Sequence, residues 1–128
     1  MADALHDCAK LSGDAAIQAC DQAIRENPRD AVSYGNRGVE YRNKGDFDRA
    51  FADFTKAIEI DPKFADAYSN RCVAFKHNGD LDRALADCTQ AVEINPKFAD
   101  AYVNRGLVFD DKGDLDQRLC LQQSRLRI

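Results

Sequence analysis

Little in this chain is equipped for acid–base or metal chemistry. It has two histidines, His6 and His77, and no Cys-x-x-Cys pair among its five cysteines. A structural zinc site needs four converging Cys or His ligands, so no metal site is expected. There is no phosphate loop, and no nucleophile can be matched to a base. The chain therefore reads as a non-enzyme without a cofactor. Nor is basic charge in excess: 18 Lys and Arg against 22 Asp and Glu leave a net charge of −4. Nucleic acid is thus not the expected partner, because phosphate binding needs a basic face. No apolar run approaches the roughly 20 residues of a membrane span. Met1-Ala2-Asp3-Ala4 leads straight into polar sequence, with no signal peptide in view. As it stands the sequence reads as cytoplasmic. It reads as periplasmic or exported if Met1 is an added start and Cys8 and Cys20 are bridged.

Proline is also scarce, and its placement is informative. Pro28, Pro62 and Pro96 are evenly spaced along the chain. Gly45-Asp46, Gly79-Asp80 and Gly113-Asp114 keep the same step, and Asp61-Pro62-Lys63-Phe64-Ala65-Asp66-Ala67-Tyr68 returns as Asn95-Pro96-Lys97-Phe98-Ala99-Asp100-Ala101-Tyr102. A fixed period of this size means stacked units rather than one globular core.

Within residues 31–64, Tyr34, Gly38 and Tyr41 fall at helical spacing up to Lys44. Gly45 ends that helix, because glycine enters the left-handed conformation without a steric penalty. Asp46 is the N-cap of the next helix, where its carboxylate accepts from orphan amides. Phe47, Ala50, Phe51, Phe54, Ala57 and Ile58 then form one apolar stripe, and Pro62 stops it. Residues 65–98 repeat the plan with Tyr68, Cys72 and Phe75, then Leu81, Ala84, Leu85, Cys88, Ala91 and Val92. Gly38 and Cys72 are expected to face Ala50 and Ala84, letting the paired helices approach closely.

Tyr34-x-x-Arg37-Gly38-x-x-Tyr41, then Ala50-x-x-x-Phe54 and Pro62, resembles the tetratricopeptide repeat (TPR) signature. The likeness extends over roughly residues 14–116 and has the look of a bacterial tandem array. It implies an all-α fold, a right-handed α-solenoid of antiparallel helix pairs. The expected division is an N-terminal hairpin or partial repeat at 1–30 and repeats at 31–64, 65–98 and 99–128, the last with an atypical second helix. Arg37 and Arg71 replace the usual leucine. They either pair with Asp53 and Asp87 or lie solvated on the surface.

Both ends depart from the pattern. Residues 3–11 are expected to fold back on residues 14–26, which sets Cys8 against Cys20. The Cys-x11-Cys arrangement before tandem repeats resembles some exported bacterial TPR proteins, in which case the two are bridged; otherwise they are buried thiols. Cys72 and Cys88 face each other as well and are read as core thiols. At the other end Arg118, Gln122 and Arg125 occupy the positions of Ala84, Cys88 and Ala91, so the last helix cannot dock as its predecessors do. Leu119, Leu126 and Ile128 keep an apolar stripe and are candidates for self-association into a homo-oligomer.

In such a stack the first helix of each unit lines the concave face. Asn36, Asn70 and Asn104 recur there. An amide presents one acceptor and two donors, so three of them could grip the backbone of an extended peptide. That resembles the asparagine ladder of O-linked N-acetylglucosamine transferases. The other reading is that these asparagines bridge neighbouring helices. Val39, Val73, Leu107, Asp66, Asp100, Arg42, Lys76 and His77 complete the expected peptide-binding face. The carboxylate-clamp positions of chaperone cofactors hold Gly35, Val39, Asp66 and Asp100 here, so no clamp is expected and basic or neutral peptides fit better. The functional expectation is a non-catalytic interaction scaffold for a protein or peptide. The alternative is a structural module that assembles through its C-terminal helix.

Overall fold

Among the described residues seven helices follow one another: α1 (Ala4–Lys10), α2 (Gly13–Glu26), α3 (Ala31–Asn43), α4 (Phe47–Ile60), α5 (Ala65–His77), α6 (Leu81–Ile94) and α7 (Ala99–Leu126). The structure, a computed structural model, describes residues 3–126, with side chains in α7 as far as residue 116 together with Leu119. Among the described residues there is no strand, and no helix is long and apolar enough to cross a membrane. Successive helices pack as antiparallel pairs, α1 with α2, α3 with α4 and α5 with α6, to form an α-solenoid.

The turns between paired helices follow from two letters, Gly-Asp. Gly45 and Gly79 adopt φ of 84° and 81°, the left-handed region that glycine enters freely. Asp46 N–H donates to Tyr41 O at 2.9 Å and Gly45 N–H to Arg42 O at 2.9 Å, with the same pair of bonds at Asp80 and Gly79. These bonds satisfy the last carbonyls of α3 and α5. The same aspartates then cap the next helix, Asp46 accepting from Arg49 N–H and Asp80 from Arg83 N–H, each at 3.2 Å. The proline turns are built as regularly. Asn27, Asp61 and Asn95 each accept on the side chain from the amide two residues on, at 3.0–3.1 Å.

The side chain that Gly38 meets most closely is Phe54. A Cβ placed on Gly38 would lie 2.6 Å from Phe54 Cε1, so the bare backbone is a notch filled by the Phe54 ring. Phe54 is fully buried. One repeat on, the same two positions hold Cys72 and Cys88, and these are joined as a cystine with Cα atoms 5.5 Å apart. This corrects the reading of two core thiols. A second cystine joins Cys8 to Cys20, with Cα atoms 4.6 Å apart. Cys20, Phe54 and Cys88 are themselves separated by one repeat period each. The repeat thus fastens its helix pair at one place, by a disulfide, an aromatic knob, and a disulfide again.

The arginines in the leucine position are paired, not solvated. Arg37 Nε and Nη2 donate to the two oxygens of Asp53 at 2.8 and 2.7 Å, and its Nη1 reaches Asp21 of α2 at 2.9 Å. Arg71 repeats the fork on Asp87 at 2.7 and 2.9 Å, and donates to Thr55 of α4 at 3.3 Å. Asp53 and Asp87 are buried, and their hydrogen bonds raise the pKa of both guanidinium groups above the ordinary value. Each arginine bridges its own repeat to the one before.

The third repeat breaks the plan. Gly113 does not take the left-handed turn of Gly45 and Gly79, and α7 runs on from Ala99 to Leu126 as one helix. The expected hairpin at Gly113-Asp114 is therefore corrected. A glycine inside a helix costs only about 1 kcal/mol, whereas the turn at Gly45 or Gly79 is rewarded by docking of α4 or α6. Where those helices offer Ala50, Phe54 and Ala57 or Ala84, Cys88 and Ala91, the third repeat offers Arg118, Gln122 and Arg125. Tyr102 and Phe109 of α7 are 42% and 53% exposed, and among the described residues nothing lies within 4 Å of a Cβ placed on Gly106, the counterpart of the Gly38 notch.

Candidate functional site

A groove of about 650 Å³ runs across α3, α5 and α7. Ser69 of α5 meets Asn104 of α7, and Lys76 meets Asp111 two turns further along both helices, so the two run parallel. Parallel first helices bring one repeat position into line along the groove. The aligned residues include Asn36, Asn70 and Asn104, with Val39 and Val73 beside them. Val32 and Val103, also in the lining, are 49% and 61% exposed. Asp66, Asp100 and Arg42 line the groove too.

Three of the expected residues lie elsewhere. Leu107 is exposed but does not line the groove. The Lys76 Nζ is drawn off to Asp111 Oδ2 at 3.3 Å. His77 stacks on Phe47, ring centroids 4.0 Å apart and planes at 14°, which holds it at the turn. The groove also contains residues the helical stripe did not indicate. Phe64 and Phe98 follow the two proline turns and form part of its wall. Phe64 lies 3.2 Å from where a Cβ on Gly35 would sit, which accounts for glycine there. Their recurrence at the repeat period was a signal that could have singled them out.

The three asparagines are not equivalent. Arg42 Nη1 donates to Asn70 Oδ1 at 3.1 Å. A guanidinium only donates, so Asn70 turns its carbonyl to Arg42 and keeps its amide N–H groups for the groove. Asn104 Nδ2 donates to Ser69 Oγ at 3.1 Å, and its carbonyl oxygen accepts no hydrogen bond among the described residues. Asn36 makes no side-chain hydrogen bond among the described residues. Two of the three asparagines thus bridge helices, and all three retain unmatched hydrogen-bonding groups.

Charge is divided along the groove. Asp66 and Asp100 stand in the first turns of α5 and α7, and Arg42 in the last turn of α3. Arg42 is half-buried and has no carboxylate within 4.0 Å among the described residues; burial lowers the pKa of its guanidinium. No group of three His, Cys, Asp or Glu able to hold a metal occurs among the described residues. At the far end, Leu119 is 49% exposed. Ile128 lies outside the described residues, as do the side chains of Leu126, Arg118, Gln122 and Arg125.

The family description of the tetratricopeptide repeat matches residues 31–64 and 65–98. Among solved structures the chain is similar to the Arabidopsis OM64 TPR domain, with 28% identity and a TM-score of 0.73 over 77% of this chain and 81% of that one. It is similar to the first TPR of Spaghetti (RPAP3) bound to the HSP90 peptide SRMEEVD, with 23% identity and a TM-score of 0.74 over 78% of this chain and 79% of that one. It is also similar to a Thermobaculum terrenum O-GlcNAc transferase, with 21% identity and a TM-score of 0.76 over 82% of this chain and 21% of that one. At the low identity of the last two, the likeness is one of fold.

Proposed function

Because the chain belongs to the tetratricopeptide repeat family, we propose that it is a non-catalytic interaction scaffold whose concave groove binds an extended peptide or partner segment. The observation that carries this reading is the row of Asn36, Asn70 and Asn104 between exposed valines. An extended peptide has N–H and C=O groups to satisfy and side chains to bury. Asn70 offers donors, Asn104 an acceptor, and the valines an apolar floor. The similar Spaghetti domain is a structure with a peptide bound, which supports the reading. Random dodecapeptides displayed on phage provide the probe. Peptides selected on the parent protein are expected to bind Asn70→Ala about fivefold more weakly, one amide hydrogen bond amounting to about 1 kcal/mol. The Asn36→Ala, Asn70→Ala, Asn104→Ala triple variant should lose most of the affinity. Selected peptides that bind the triple variant as tightly as the parent would overturn the reading.

A second reading has its own observation. Tyr102, Phe109, Leu115 and Leu119 are large apolar residues 42–53% exposed on α7. The chain then associates with itself through α7, as a structural module. Light scattering at high protein concentration is expected to show a dimer or larger, and Leu115→Gln with Leu119→Gln to return it to a monomer. A strictly monomeric parent sinks this reading.

A further inference from the structure

The groove holds one cation that the fold leaves uncompensated among the described residues. Half-buried cations elsewhere in the stack are met in other ways: Arg37 pairs with Asp53 and Asp21, Arg71 with Asp87, Lys76 with Asp111 and Lys112 with Asp82, while Arg105, outside the groove lining, lies over the Tyr102 ring. Lys76 is the counterpart of Arg42 one repeat later, and the comparison explains the difference. The residue that neutralises Lys76 is Asp111, in the next repeat. The corresponding residue for Arg42 is His77, one repeat period before Asp111. His77 carries no carboxylate and is stacked on Phe47. Arg42 instead turns to Asn70, and one of its five N–H donors is used there. The bond fixes Asn70 with its amide N–H groups outward beside the remaining guanidinium donors. Donors of two side chains therefore stand together in the groove with no acceptor among the described residues. Asp66 and Asp100 do not fill this role, because they occupy the opposite ends of the parallel helices.

We propose that Arg42 and Asn70 form an acceptor-seeking subsite of the groove, and that the bound segment places a side-chain carboxylate, from Asp or Glu, against it. The inference rests on the peptide-groove reading and names the chemistry of one position in the ligand. A carboxylate accepts two parallel N–H bonds from a guanidinium, and desolvating Arg42 is offset only when such a charge arrives. This preference reverses what the acidic residues alone suggest, since Asp66 and Asp100 are exposed at the far edge while Arg42 is half-buried in the lining.

The test uses nuclear magnetic resonance titration of the oxidised full chain with acetylated, amidated octapeptides of Ala, Gly and Ser. The fourth residue is Glu, Gln or Lys, and a further Gln peptide carries a free C-terminal carboxylate. At low salt the Glu peptide is expected to bind about fivefold more tightly than the Gln peptide, the gap closing as salt rises. The free-terminus peptide separates a terminal carboxylate from a side-chain one: binding tighter than the Glu peptide would overturn the side-chain assignment. Arg42→Gln should bring the Glu-to-Gln affinity ratio to about 1. His77→Asp should do the same by capturing Arg42 as Asp111 captures Lys76, without altering Arg42 itself. Equal binding of the Glu and Gln peptides to the parent, with shifts in the groove, overturns the subsite and leaves the peptide groove standing. No shifts with any peptide overturn both.

Discussion

Removing both cystines with a phosphine reductant is expected to lower the melting temperature by about 20 °C, read by circular dichroism. Cys8–Cys20 and Cys72–Cys88 span 12 and 16 residues of sequence. Closing a loop of about 15 residues is worth about 3 kcal/mol, mostly through the unfolded chain. For a domain of this length each kcal/mol moves the midpoint by about 3–4 °C. The position of the bonds adds to their effect. In a stack each unit touches only its neighbours, and each cystine ties the two helices of one unit. All four cysteines are buried, so the reductant acts on the opened unit and the loss is seen on heating rather than at once. Cys8→Ala with Cys20→Ala, and Cys72→Ala with Cys88→Ala, divide the effect between the two units. Coincident melting curves with and without reductant would show that the sulfurs are not cross-linked in the folded protein.

The cystine at Cys72 marks where local sequence rules stop being informative. Spacing shows that Cys72 and Cys88 lie on facing stripes, as Ala and Leu do elsewhere. It does not show that these stripes meet closely enough for a bond. That closeness becomes visible through Gly38 and Phe54, where a side chain larger than hydrogen has no room. Gly113-Asp114 teaches the converse. Its letters match Gly45-Asp46 and Gly79-Asp80, yet α7 continues through it. A turn signal expresses a local preference of about 1 kcal/mol, and here the decision passes to docking that Arg118, Gln122 and Arg125 do not supply. The groove was the most legible part, because one helical stripe repeated three times in parallel must form a row. Helical periodicity does not point to Phe64 and Phe98, because they lie in the proline turns, outside any helical stripe. The state of Arg42 was legible only by setting His77 beside Asp111, a difference between repeats rather than a motif.

Phe54→Ala is expected to cost about 4 kcal/mol, within the usual range for a fully buried phenylalanine. The magnitude follows from what the ring does. It is 0% exposed, it fills the Gly38 notch, and it packs with Ala50 and Ala74 against Tyr41 and Phe51. Gly38 cannot relax inward to refill the space, because the two helices are already held by the Arg37–Asp53 fork. The repeat formed by α3 and α4 also has no cystine, unlike its neighbours on either side. Loss of the ring should therefore open this unit first. Amide exchange is expected to accelerate in α3 and α4 while α5 and α6, tied by Cys72–Cys88, remain protected. Gly38→Cys combined with Phe54→Cys supplies the decisive comparison, since it writes the Cys72/Cys88 solution into the same place. Under oxidising conditions that pair should recover much of the stability that Phe54→Ala loses, and reductant should take it away again. A Phe54→Ala protein melting within about 3 °C of the parent, the shift expected of only about 1 kcal/mol, would mean that the knob and the disulfide are not equivalent fastenings, and that the ion-pair fork alone sets the helix pair.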